Sequence, residues 1–225
     1  MPLFLTVLSG LAWTIVYLEA IRLGFRHRTY AMPVAALALN IAWESLYAAH
    51  AWATTLSVQG VINTIWALLD LAIVSTFLRF GRRELPAFVT RPLFLAWAAL
   101  VFGSAYLVQG AFVVQFGWGA GARYSAFLQN LLMSGLFIAM FTARRGSRGQ
   151  SLVIAVAKWL GTLAPTLLFG VYAPSPFILA LGVLCSVFDL VYIGLLGWAT
   201  RHPATLTEPA PATRVATACS PSTPP

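Results

Sequence analysis

Three carboxyl groups carry the chemistry that this sequence can offer. Glu44 stands in Asn40-Ile41-Ala42-Trp43-Glu44-Ser45-Leu46-Tyr47, Asp70 closes Asn63-Thr64-Ile65-Trp66-Ala67-Leu68-Leu69-Asp70, and Asp189 lies in Cys185-Ser186-Val187-Phe188-Asp189-Leu190-Val191-Tyr192. Each stretch is otherwise uncharged. At helical spacing Asn40 and Tyr47 share the face of Glu44, Asn63 and Trp66 that of Asp70, and Ser186 and Tyr192 flank Asp189 at three residues either way. Carboxyls on such part-polar, part-aromatic stripes suit acid–base work. Burial favours the protonated form, and two carboxyls placed together share a proton, giving a general acid beside a carboxylate that steadies cationic charge.

The bland alternative is that these groups join helices. Asn40, Asn63, Gln109, Gln129 and Asn130 fit it well, because amides are common interhelical hydrogen-bonding groups in membrane bundles. The carboxyls fit it less well, since each costs about 2.5–3.5 kcal/mol at the centre of a spanning helix and an amide would bond more cheaply. Trp43, Trp66, Phe188 and Tyr192 admit both readings, because aromatic rings pack, anchor at interfaces or face a cation.

Other chemistries lack their parts. His27, His50 and His202 fall in loops or at span ends, so a nucleophile–His triad is not expected. There is no Gly-rich phosphate loop, no Asp-rich Mg²⁺ motif and no Cys/His cluster, and no two of the three acids stand at i,i+3 or i,i+4. We expect neither metal nor cofactor. A retinal protein would need a lysine on its seventh helix, whereas the single lysine, Lys158, falls in the sixth span.

The elements that must hold these residues are membrane spans. Of 225 residues 60% are hydrophobic and 9% charged, and the mean hydropathy is +0.82; soluble domains run near 45–50% and about 25%. A spanning helix needs about 20 largely apolar residues. Seven stretches come near that length: Leu3 to Ile21, Tyr30 to Ala49, Val58 to Phe80, Leu93 to Val114, Ala122 to Thr142, Ser151 to Tyr172, and Pro176 to Ala199. The first has no preceding basic residue and no cleavage site, so it reads as a retained helix. The expectation is an all-α, seven-transmembrane-helix bundle over residues 1–200. Residues 201–225 form a Pro/Ala/Thr/Ser-rich tail, too poor in apolar surface to order itself.

The net charge of +8 reports orientation. Twelve of the 14 basic residues fall in the first, third and fifth loops and the tail, against Arg123 alone in the other loops. Arg and Lys collect on the cytoplasmic side, which predicts a multi-pass cell-membrane protein with its N-terminus outside and its C-terminus in the cytoplasm. The positive excess is thereby explained without nucleic acid as a partner. Glu19, three residues from Arg22, reads as an interfacial ion pair. Cys185 in the seventh span and Cys219 in the tail are not placed to pair.

Taken in their joint order, Asn40-x-x-Trp43-Glu44-x-x-Tyr47, Trp66-x-x-x-Asp70 and Phe188-Asp189-x-x-Tyr192-Ile193 resemble the integral-membrane terpene cyclases of meroterpenoid and indole-diterpene biosynthesis, the paxilline-type cyclases. The Arg/Ala-rich composition suggests a GC-rich bacterial genome, and the resemblance is then to bacterial members that act on farnesylated products. The resemblance implies cyclisation of a linear isoprenoid, often attached to an aromatic or indole-derived group and often bearing a terminal epoxide. It implies that Glu44 and Asp189 are the catalytic acids, with Asn40, Trp43, Tyr47, Asn63, Trp66, Asp70, Phe188 and Tyr192 supporting or binding the substrate. One acid protonates the epoxide or terminal alkene, rings close through carbocations, and a base or water ends the cascade. Which acid starts it is open at this level, as is the role of Asp70.

Two other classes compete. A small proton-coupled transporter would use buried acids as a relay, but Pro165 marks one candidate break without a counterpart. A non-catalytic membrane partner would pair its acids with basic residues of another subunit.

Overall fold

The computed structural model describes residues 1–202, and the expected tail beyond His202, with Glu208 and Cys219, lies outside them. Six α-helices follow one another: α1 (Pro2–His27), α2 (Val34–Ala53), α3 (Val58–Phe80) with a 3₁₀ turn at Gly81–Glu84, α4 (Arg91–Arg144), α5 (Leu152–Thr166) running into a π-helical turn at Leu167–Tyr172, and α6 (Pro176–Arg201). No strand occurs among the described residues. The starts are written in the sequence. Ser57, Thr90, Ser151 and Ser175 each accept a hydrogen bond from the backbone N–H three residues on, satisfying donors that the first turn leaves free. α1, α4 and α6 also carry proline in the first turn, where its missing N–H costs nothing.

α4 differs from the expectation of two separate spans. It is one 54-residue run broken only at Gly117, whose φ of 71° and ψ of 171° lie outside the helical region. Straight, 54 residues would reach about 81 Å. Instead the run folds back at Gly117, as the 2.7 Å hydrogen bond from Gln109 to Gln129, 20 residues later, requires. Only glycine adopts that backbone conformation without strain. Four residues on, a Cβ at Gly121 would stand 2.7 Å from the carbonyl oxygen of Phe112, so the arms meet through a bare backbone.

The bundle is inverted relative to a soluble protein. Leu3, Leu68, Leu100, Leu107, Val114, Val183 and Val187 face outward, while Asn40, Glu44, Asp70, Gln109, Gln129, Lys158 and Asp189 are buried. Such an exterior matches lipid. Five helical segments are long and apolar enough to cross a membrane: α1, α3 with its 3₁₀ turn, α4, α5 with its π turn, and α6. α2, which carries Asn40, Glu44, Ser45 and His50, is not among them. The described residues thus form an all-helical, multi-pass membrane protein.

Two features fix the helices around the site. Pro165 has no N–H to give the carbonyl of Gly161, and Ser9 of α1 supplies the donor instead at 2.8 Å. At the end of the bundle where α1 finishes, Arg144 pairs with Glu84 at 2.7 Å and donates to the carbonyl of Tyr30 at 3.0 Å, tying three loops together. The expected Glu19–Arg22 pair is present at 2.6 Å.

Candidate active site

Glu44 and Asp70 belong to one buried network built by α1 to α4. Tyr17 of α1 donates its phenolic hydrogen to Glu44 Oε1. Asn40, one turn before Glu44, turns its Nδ2 toward Tyr17 Oη (2.6 Å), Glu44 Oε1 (3.1 Å) and Asp70 Oδ2 (2.9 Å). The two carboxyls accept from the same Asn40 Nδ2, which holds them side by side. Asn40 Oδ1 accepts from Gln129 at 3.4 Å, and Gln129 accepts from Gln109 at 2.7 Å. Both arms of α4 thereby orient the amide that stands between the acids. Glu44 Oε2 and Asp70 Oδ1 are buried without a donor.

A cavity of about 310 Å³ opens onto this network, at the small end of ligand pockets of about 300–1,000 Å³. Its wall is aromatic, with Trp13, Tyr17, Trp43, Trp66, Phe127 and Phe169, and Glu44 is the one carboxyl in it. Trp43 and Trp66 are fixed by their indole N–H groups, which donate to the carbonyl of Ala122 at 3.1 Å and to Thr14 at 3.3 Å. Asn130 Oδ1 and Thr162 Oγ1, both on cavity residues, are buried without partners. Asp70 is fully buried behind Glu44 and does not reach the wall. A ring-lined chamber with one acid, and with the exposed Arg123 as the one cation in its lining, suits a greasy substrate that becomes cationic beside the rings.

The structure places Asp189 in a second cluster. Lys158 of α5 donates to both Asp189 oxygens, at 2.8 and 3.0 Å, and to Ser134 Oγ at 2.7 Å, with both charged side chains buried. Ser134 lies one turn beyond Asn130 and Lys158 one turn before Thr162, so this cluster sits about 5–6 Å below the cavity floor by helical spacing.

The other expected residues divide. Asn40, Trp43 and Trp66 gather at the cavity with Glu44. Tyr47 and Asn63 line a smaller adjoining recess; Tyr47 packs against Trp43 and Trp118, and Asn63 accepts from Gln59 at 2.7 Å. Tyr192 is buried elsewhere, donating to Gln150 at 2.7 Å and packing on Phe137, and Phe188 is 40% exposed on the outer face of α6. Sequence reasoning passed over Tyr17, Trp13 and the partner of Asp189. Lys158 carried a usable signal, since a lysine inside a span demands a counter-charge. Tyr17 carried none.

Cavity, buried acids and apolar exterior make up a membrane-embedded site suited to a lipophilic molecule. Residues 1–202 match the Pyr4-like transmembrane terpene cyclases, and the chain belongs to that family. It is similar to the terpene cyclase pyr4 of Aspergillus fumigatus, 27% identical over 86% of this chain and 84% of that protein. It also resembles the Pyr4-family terpene cyclase mfmH of Annulohypoxylon moriforme, 31% identical over 73% of this chain and 68% of the relative. The asnovolin H synthase nvfL of Aspergillus novofumigatus is 26% identical over 71% of this chain and 65% of the relative. These three relatives are fungal, and none of them supports the bacterial origin expected from composition. No solved structure matches the chain.

Proposed function

We propose that this terpene cyclase protonates the terminal epoxide or alkene of a linear, farnesyl-type isoprenoid, bare or joined to an indole-derived or other aromatic group, and so drives polycyclisation. The observation that carries the reading is the aromatic cavity with Glu44 as the single carboxyl on its wall. In the first step the O–H bond of Glu44 breaks and its proton goes to the epoxide oxygen or the alkene carbon. Rings close through carbocations that the indole and phenyl faces of Trp13, Trp43, Trp66 and Phe127 steady. Loss of a proton to the Glu44 carboxylate, or capture of water, ends the cascade. Asp189 serves the site from beneath its floor through Lys158. Initiation by protonation asks for no divalent cation.

We assign seven crossings by adding α2 and counting the two arms of α4 separately, with the N-terminus outside. The cavity, lined by Leu5, Thr6 and Ser9 near the start of α1, then opens in the outer half of the bundle, where a substrate enters from lipid. The test is product analysis in isolated membranes supplied with prenylated and epoxidised substrates while a protonophore dissipates the proton gradient. A cyclic product that Glu44→Gln does not make supports the reading. No cyclic product, together with protein-dependent proton flux once the protonophore is omitted, would favour the transporter instead.

A further inference from the structure

The two buried acid clusters differ in what balances their charge. Lys158 directs its ammonium hydrogens to Ser134 and both oxygens of Asp189, so Asp189 is saturated as a carboxylate and the cluster is neutral. Protonating Asp189 would strand the ammonium in the bundle interior, a costlier state than the pair. Glu44 and Asp70 have no such partner: the three ion pairs among the described residues are Arg22–Glu19, Arg144–Glu84 and Lys158–Asp189. Tyr17 and Asn40 satisfy one oxygen of each carboxyl, and Glu44 Oε2 and Asp70 Oδ1 are left without donors. Two adjacent carboxylates without a cation repel strongly in a low-dielectric interior. One proton on the pair removes a charge and supplies the missing donor together.

We infer that the transferable proton of the site is held by the Glu44–Asp70 pair, with Asp70 as the positioning residue behind Glu44, and that Asp189 remains a carboxylate bound to Lys158 and transfers no proton. This deepens the cyclase reading and rests on it only for the substrate. When Glu44 gives that proton to the substrate, its carboxylate accepts from Tyr17 and Asn40, and the positive charge formed on the substrate balances the negative charge the pair regains. Donors already oriented toward the conjugate base ease this release against the repulsion from Asp70. The proton released by the final cation, or by the water that captures it, restores Glu44 and balances the cycle.

Infrared spectroscopy of the full chain, purified in a detergent without ester groups at neutral pH, tests the assignment without a substrate. The wild type is expected to show the carbonyl stretch of a protonated carboxyl, identified by its shift in deuterium oxide. The band is expected to persist in Lys158→Met/Asp189→Asn and to vanish in Glu44→Gln/Asp70→Asn. Should Lys158→Met/Asp189→Asn fail to fold, Asp189→Glu, which keeps the ion pair, is expected to leave the band unmoved. No band in the wild type, its persistence in Glu44→Gln/Asp70→Asn, or its loss or shift in either Asp189 variant overturns the inference. A wild type that shows the band yet forms no cyclic product counts against the cyclase reading alone.

Discussion

At the scale of single residues, the site depends on one carboxyl at a wall and on the groups that hold it. Glu44→Gln keeps the size and most hydrogen bonds of the side chain but has no transferable proton. General acid–base groups contribute about 10²–10⁴-fold, so product formation at matched expression is expected to fall at least that far, and near-normal product would remove Glu44 from the mechanism. Lys158→Met breaks a fully buried pair and strands Asp189, a change worth about 3–5 kcal/mol. A marked loss of thermal stability in detergent is expected, largely recovered when Asp189→Asn is added. An unchanged melting temperature in Lys158→Met would show that the pair is not the anchor described above. Charge made Glu44, Asp70 and Asp189 visible in the sequence, because an acid inside an apolar run has no cheap explanation. Tyr17 was invisible, since a tyrosine in a spanning helix is ordinary until its hydroxyl is seen on Glu44.

At the scale of elements, the cavity is framed by two departures from regular helix. Gly117 turns α4 back on itself, which brings Gln109 and Gln129 together behind Asn40. Gly117→Ala forces a side chain into a backbone region that costs about 1–3 kcal/mol. Gly110→Ala, where a Cβ meets nothing within 4 Å, is expected to be neutral or to gain up to about 1 kcal/mol in helix propensity. Melting curves of the two variants that coincide would argue against a strained turn. Pro165 frees the carbonyl of Gly161 and Ser9 answers it, locking α1 to α5 at the cavity edge. Ser9→Ala leaves that buried acceptor unmet at about 1–3 kcal/mol, which the same assay reads as a lower melting temperature.

At the scale of the whole molecule, the polar network and the lipid-facing exterior are two results of one constraint. Apolar side chains gain nothing by hiding from hydrocarbon, so they cover the outside and polar groups find each other within. We propose that the loop arginines set direction. A cysteine placed at Ser57, in an otherwise cysteine-free variant, is expected to react with an impermeant label from outside. Labelling from the cytoplasm alone would reverse the topology. Cyclisation that begins by protonation is expected to continue in EDTA; turnover lost on chelation and restored by Mg²⁺ would overturn the initiation step.

Composition and periodicity by themselves determined that the chain is helical and lies in a membrane, since those properties sum local preferences over many residues. They placed α3 to the residue and found the acids, because a charge in an apolar run is a local anomaly. Only the tertiary structure decided which acids meet. The expected pair of Glu44 and Asp189 is distributed over two clusters, Glu44 with Asp70 and Asp189 with Lys158. Helical spacing says which residues share a face of one helix, but not which neighbour that face meets. Tyr192 shares a face with Asp189 in sequence and bonds to Gln150 in space, whereas Tyr17 and Glu44 lie 27 residues apart and meet. Partner choice rests on the rotation and register of whole helices, set by the sum of their contacts, and no window of sequence contains that sum.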